Sequence, residues 1–348
     1  MRKAFIPTLA TALVCTLLIS RSVAQSLDNP GSYMDYIGKA EAELAKKYLS
    51  YMSASSHGGS MRKVDKRRTD LLNSIYETRI QITDMPSYKG DKTLKDASVD
   101  YLKILYSVFN EDYAKLVNME EIAEQSYDDM EAYILMQDKA NEKLKSAYES
   151  RATIGKDFAK KYNVNLVENE SPLSEKLAQA EAVGDYYHQV YLIFFKAFNQ
   201  EKYLIQAIDQ KNVNGIEQNK NALAKYSEEG LEKLKSLKSF SGDGSIVISC
   251  RQMLEFLKDE ANSKVPVLTD FILKAENFAD VKKAFDAKSS SKRTQKDVDD
   301  YNKAVNDMNS GVNKFNSTNT TLNTNRHKLL TAWNESVDQF MDTHMPYR

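Results

Sequence analysis

The chain has 348 residues, 42% of them hydrophobic and 28% charged, with 48 basic against 49 acidic side chains. This composition excludes a disordered tail and supports a substantial core, and the near-zero balance excludes a dedicated nucleic-acid binder, which carries a marked basic surplus. Glycine (12) and proline (6) are scarce, as expected where long helices leave few turns.

Residues 1–24 read as a secretory signal peptide. Arg2 and Lys3 form the charged start, Ala4 to Ile19 the apolar run, and Ser22-Val23-Ala24 the small-residue site for a cut before Gln25. Cys15 is preceded by Val14 and followed by Leu17, Leu18 and Ile19, so it lies inside the apolar run and does not suit a lipid anchor. Cleavage removes Arg2, Lys3 and Arg21 and no acid, leaving 45 basic and 49 acidic residues, a balance of −4. The mature chain then has no transmembrane span. It keeps Cys250 alone, so no intrachain disulfide can form. Its setting, Ile246-Val247-Ile248-Ser249-Cys250, predicts a buried, inert thiol.

After Asn29-Pro30, a first helix is expected from Ser32 to Met52, then a polar turn, Ser53 to Gly59. A second helix starts near Ser60 and ends at the break from Asp84 to Gly90. From Asp100 to Tyr162 the apolar residues recur in steps of three and four, which predicts one long helix or two end to end, with a bend near Asn118. A 40-residue helix is about 60 Å long, a length natural to an elongated bundle. Asn163 to Pro172 is the expected boundary between an N-terminal bundle (25–168) and a C-terminal one (169–348), and Ser171-Pro172 suits a helix start.

The next helix, Pro172 to Gln210, carries the most apolar stretch, Tyr186 to Phe198. A shorter helix is expected after Asn214-Gly215, ending near Phe240. Ser241 to Ser245 forms a loop, and a further helix to Ala287 should kink before Pro266. Ser289-Ser290-Ser291 is a hinge, and Thr294 with Asp297 resembles a capping box. In the last helix the apolar seam keeps its phase through the Asn- and Thr-rich run 316–325, which predicts that packing overrides propensity there; Asn319 and Arg326 fill seam positions with polar groups. The count is about eight helices, an all-α, elongated antiparallel bundle architecture of two four-helix units. Phe109 to Tyr113 and Phe198 to Tyr203 look alike and hint at duplication.

Few residues suggest chemistry. Arg62, Lys63, Lys66 and Arg67 share a helical face beside Gly58-Gly59, with Arg68 next to them. They could contact an anionic partner such as lipid headgroups, an acidic glycan or a protein patch, or they could form a solvated face. Glu120, Glu121, Glu124, Asp128, Asp129 and Glu131 are the opposite cluster, but a helix lacks the loop carbonyls that calcium sites draw on. The Glu-x-x-His signature of di-metal bundles is missing; Asp185-x-x-His188 alone comes near. Neither His-Glu-x-x-His nor a Gly-rich phosphate loop occurs, so no cofactor or metal is expected. His57 suits a cap or an exposed contact.

The run Phe109-Asn110-Glu111-Asp112-Tyr113 through Glu124-Gln125-Ser126-Tyr127 is distinctive, as are Asn29-Pro30 with Tyr33-Met34 and Ser56-His57-Gly58 with Arg62-Lys63-Val64. Together they resemble an uncharacterised family of exported, all-helical bacterial surface proteins. The resemblance covers mainly the first half and implies export and surface display, with no functional residues attached. The leading expectation is therefore a non-enzymatic interaction module at the cell surface or in the periplasm, whose partner is a protein, a glycan or another envelope component. The alternative is a periplasmic carrier of a small apolar or lipid-like ligand, its cavity lined from Tyr186 to Phe198.

Overall fold

A computed structural model describes residues 27–57, 60–166 and 171–347, the side chains at 61, 117, 118, 120 and 121 excepted. The expected leader with Cys15, the Gly58-Gly59 turn and residues 167–170 of the expected boundary lie outside the described residues. Among the described residues the fold is all-helical, without a strand. The elements are α1 (Pro30–Ser56), α2 (Met61–Thr83), α3 (Thr93–Ser107), α4 (Tyr113–Ala123), α5 (Tyr127–Lys161), α6 (Pro172–Asp209), α7 (Val213–Ser236), α8 (Ser245–Asp259), α9 (Val265–Asp286) and α10 (Gln295–His344). Two π-helical turns, Val108–Asp112 and Glu260–Lys264, join α3 to α4 and α8 to α9. The result is eight described rods.

Local chemistry sets the ends. Asn29 Oδ1 accepts from Gly31 N and Ser32 N (2.8 and 3.1 Å), and Pro30 fills the first helical position of α1. The bend expected near Asn118 is instead a break after Ala123, where Ser126 caps α5 by accepting from Asp129 N at 3.1 Å. Thr294 and Asp297 form the expected reciprocal box: Thr294 N donates to Asp297 Oδ2 (2.8 Å) and Asp297 N to Thr294 Oγ1 (3.3 Å). α10 runs unbroken through its Asn- and Thr-rich stretch, with Leu322 buried in mid-run, so packing outweighs poor propensity there. In place of a simple kink, a π turn precedes Pro266.

The contacts divide the chain into two compact units. One runs to Gln189 and takes in the end of α10 from Asp338; the other is Val190–Val337. In the first, α1 packs on α2, α2 on α3, and α3 and α4 on α5. Tyr33, Tyr88, Phe158 and Tyr162 cluster with centroids 4.6–5.8 Å apart, and Tyr48, Tyr51, Phe109 and Tyr113 surround the π turn. Arg151 Nε meets Glu41 Oε1 at 2.8 Å, both side chains largely buried. In the second unit α7 packs on α8 and α9, and Phe194 stacks on Trp333 at 4.3 Å and 6°. Gly230 lets α7 approach: a Cβ there would stand 2.8 Å from Leu254 Cδ1 and 3.1 Å from Ile193 Cγ2.

The architecture repeats, in a register different from the one the Phe109 and Phe198 segments suggest. The first segment sits in the π turn and the second inside α6. Met61 and Val213 (starts of α2 and α7), Thr93 and Ser245 (α3 and α8), and Val108 and Glu260 (π turns) are each 152 residues apart. Between them lie matching tight turns, Tyr88–Asp91 and Phe240–Asp243. Their central residues take φ of 49° and 85° (Lys89, Gly90) and 49° and 89° (Ser241, Gly242), the paired positive φ of a type I′ turn. Leu71, Leu94, Leu102, Leu105 and Leu116 are buried, and so are Leu223, Ile246, Leu254, Leu257 and Leu268 at the equivalent places. Pro266 corresponds to Ala114, so the π turn does not depend on proline.

The turn aspartates cap the next helix alike, Asp91 Oδ1 accepting from Thr93 N and Asp243 Oδ1 from Ser245 N. Asp91 also accepts from Lys161 Nζ (2.7 Å), Thr93 Oγ1 (2.7 Å) and Tyr162 OH (3.0 Å), which ties the turn to the end of α5. The Lys161 bond, then the Thr93 bonds, hold its carboxyl well below the usual range. A depressed carboxylate adds stability above its unfolded pKa, which is lost as pH falls through the folded value. Asp91→Asn is expected to cost about 2 kcal/mol at pH 7, an effect that fades only as pH falls below the ordinary carboxylate range, by urea unfolding monitored on tyrosine fluorescence.

Candidate functional site

Ser60 begins α2 by accepting from Lys63 N at 3.3 Å, and the next residues set the basic face. Two of its arginines are engaged. Arg68 Nη2 meets Asp65 at 3.1 Å and its Nη1 donates to Phe109 O at 3.3 Å, which draws it against the π turn. Arg67 stands 3.9 Å from Asp70 and is half-buried. Arg62, Lys63 and Lys66 are exposed, and among the described residues no carboxylate lies within ion-pair distance of them. The spacing 62, 66, 69, 73, 76, 80 continues the stripe through Thr69 and Asn73 to Tyr76 and Ile80, all exposed. Arg79 lies 5.4 Å over the Tyr76 ring.

The second half provides a comparison within the same chain. α7 begins under the cap Asn212, and the residues equivalent to Arg62, Lys63, Lys66 and Arg67 are Asn214, Gly215, Gln218 and Asn219. The start of α7 keeps only the self-compensating Glu217–Lys220 pair, equivalent to Asp65–Arg68, so the fold does not demand the basic face.

A second cluster lies buried in the Val190–Val337 unit. Arg326 Nε donates to Glu201 Oε1 at 2.5 Å and Nη2 to Glu260 Oε1 at 2.6 Å, while Nη1 reaches Asn323 Oδ1 at 2.6 Å. Glu201 is 2% exposed and Glu260 1%, and Glu260 Oε2 has no partner among the described residues. Burial first, then the neighbouring Glu201, pushes the Glu260 carboxyl up to about 9 against the pull of Arg326. Sequence reading marked Arg326 as a polar group on a seam but passed over both glutamates. The signal was present for Glu201, since Phe194, Ala197, Glu201 and Leu204 follow a three-four rhythm and all are buried.

The remaining candidates read structurally. His57 caps α1, its N–H and ring Nδ1 both on Ser53 O, and stacks on Tyr347 at 3.8 Å. His188 is buried and its pKa is pushed down to about 4 by burial. Cys250 is buried, with its thiol pushed up by the same cause. In the acidic cluster Asp129 serves the α5 cap and Glu131 accepts from Tyr127 OH; among the described residues no group of three or more potential metal ligands gathers. Phe194 and Phe195, named for a carrier cavity, are packed in the core. A cleft of about 430 Å³ opens elsewhere, lined by Lys46, Leu49, Pro172, Leu173 and Lys176. Lys46 is paired with Glu43 and Lys176 donates to Tyr347 O. No family model, curated protein or solved structure matches the chain.

Proposed function

We propose that this is an exported, non-enzymatic bacterial helical-bundle protein that works by contact at the cell surface or in the periplasm. Its contact face is the start of α2, and its partner is an anionic envelope surface presented by lipid headgroups. The observation that carries this reading is the exposed set Arg62, Lys63 and Lys66, without a carboxylate partner among the described residues, at a helix start whose counterpart in the same chain has no net charge. An exposed stripe of charges followed by exposed Tyr76 and Ile80 suits an extended surface better than a small ligand. The signal-peptide pattern of residues 1–24 supports export. Among the described residues no helix is long and apolar enough to cross a membrane, which agrees with contact rather than insertion.

Each basic residue near an anionic bilayer contributes about 1 kcal/mol. Replacing Arg62, Lys63 and Lys66 by glutamine together should therefore weaken binding to phosphatidylglycerol-containing vesicles on the order of 100-fold, while the melting temperature stays unchanged. Cosedimentation in low and physiological salt reads both the affinity and its screening. Failure of the unaltered protein to bind, or equal binding by the triple variant, would count against the reading. Retention on a sulfated glycan without vesicle binding would reassign the face to an acidic glycan.

A further inference from the structure

The fold can close a π turn without a fully buried carboxyl, and the first half does so. Val108, Phe109 and Tyr113 fill that turn with buried apolar and aromatic groups, and Tyr48 lies 5.6 Å from Phe109. In the second half the equivalent residues are Glu260, Ala261 and Val265. In the same 152-residue register Glu201 takes the place of Leu49, which is also buried. A buried carboxyl pair on one guanidinium is thus an addition to an architecture that works without it, and π turns recur at functional positions.

We propose that Glu201 and Glu260 share a single proton under Arg326, and that this proton latches the second π turn to α6 and α10, making the Val190–Val337 unit sensitive to alkaline pH. The geometry requires some such arrangement. Two ionised carboxylates at 1–2% exposure would leave a net negative charge on one arginine, and like charges sharing a dry site keep one of them protonated.

The surrounding charges do not supply a second cation. From α10 comes Arg326 alone, since His327 is exposed. On α6 the next residue, Lys202, is exposed, its ammonium 5.7 Å from the Phe198 ring. Lys264 of the π turn pairs with Asp259 of α8 at 3.5 Å, and Lys258 of α8 reaches Glu228 of α7 at 3.1 Å. The first charged pair of α9, Asp270–Lys274, is closed on itself at 2.7 Å. Phe256 lies 6.0 Å from the guanidinium and helps keep water out.

The direction follows from linkage. A Glu260 carboxyl raised from 4.5 to about 9 binds a proton in the folded state that the unfolded chain has released. The stabilisation is fully present below pH 4.5 and is lost as pH rises through 9.

The test is amide hydrogen exchange between pH 6 and 9.5, corrected for intrinsic rates, on the full mature chain. Protection of 260–264 and the start of α9 should fall more than tenfold, while 108–112 in the first half should stay level. Glu260→Gln, which mimics the protonated acid, should flatten the profile. Equal slopes in the two π turns, or the same slope in Glu260→Gln, would overturn the latch. If that variant does not fold, ¹³C carboxyl titration of glutamate-labelled unaltered protein decides. A glutamate titrating above pH 7 supports the shared proton, and all glutamates titrating below pH 6 overturns it.

Discussion

Trp333→Ala is expected to destabilise the Val190–Val337 unit by about 3–5 kcal/mol, the range for truncating a buried large aromatic. Trp333 is 2% exposed and lies face to face with Phe194, itself fully buried and stacked in turn on Phe198 at 5.3 Å. Truncation would remove the indole's apolar burial and leave one face of Phe194 without contact atoms, a void that stiff helices refill poorly. Leu135→Ala on α5 is the control. Leu135 is among the exposed large hydrophobics, so the change should stay within about 0.5 kcal/mol. Guanidinium unfolding followed by tryptophan fluorescence is blind to the variant, since Trp333 is the single tryptophan. Calorimetry and far-ultraviolet circular dichroism are therefore the readouts.

Arg326→Met should cost a similar amount, about 3–5 kcal/mol near neutral pH, because it strands Glu201 and Glu260 in the interior without a cation. The informative variant is the triple one, Glu201→Leu, Glu260→Val and Arg326→Met, with valine being what the first half carries at the equivalent place, Val108. It should be as stable as the unaltered protein or more so, since well-packed apolar groups commonly outperform a buried ion cluster. A triple variant less stable than Arg326→Met would mean that the cluster contributes net stability, in which case its presence needs no further role.

Much of the fold was legible. Helix starts were readable where a side chain can satisfy the first amides, as at Ser60 and the Thr294–Asp297 pair, whereas α1 starts at Pro30 under Asn29 rather than at Ser32, and the phase of the α10 seam carried it across nine poor helix formers around Leu322. The π turns were not legible: one extra residue turns the helix face by about 100°, but the buried Leu105, Phe109, Tyr113 and Leu116 still follow steps of three and four, and Val108–Asp112 and Glu260–Lys264 share little beyond Asn110 and Asn262. The duplication was suspected on the wrong segments, because the 152-residue register is carried by burial and backbone conformation more than identity. Gly90-Asp91 and Gly242-Asp243 recur, but Thr78 faces Gly230 and Val108 faces Glu260. The basic face was visible as a charge run. That Arg62, Lys63 and Lys66 have no carboxylate partner among the described residues while Arg67 and Arg68 do could only come from the fold. Glu201 and Glu260 lie in separate helices, and no local pattern brings them to one arginine.

The measurement that bears most directly on the contact role is amine footprinting of the protein on isolated cell envelopes against the purified mature chain. Lys63 and Lys66 are exposed on the proposed face, and exposed Lys292, in the turn before α10, is the reference. The account predicts that acetylation of Lys63 and Lys66 slows at least tenfold on envelopes relative to Lys292, and that high salt restores it. Unchanged reactivity of Lys63 and Lys66 on envelopes would contradict the proposed contact.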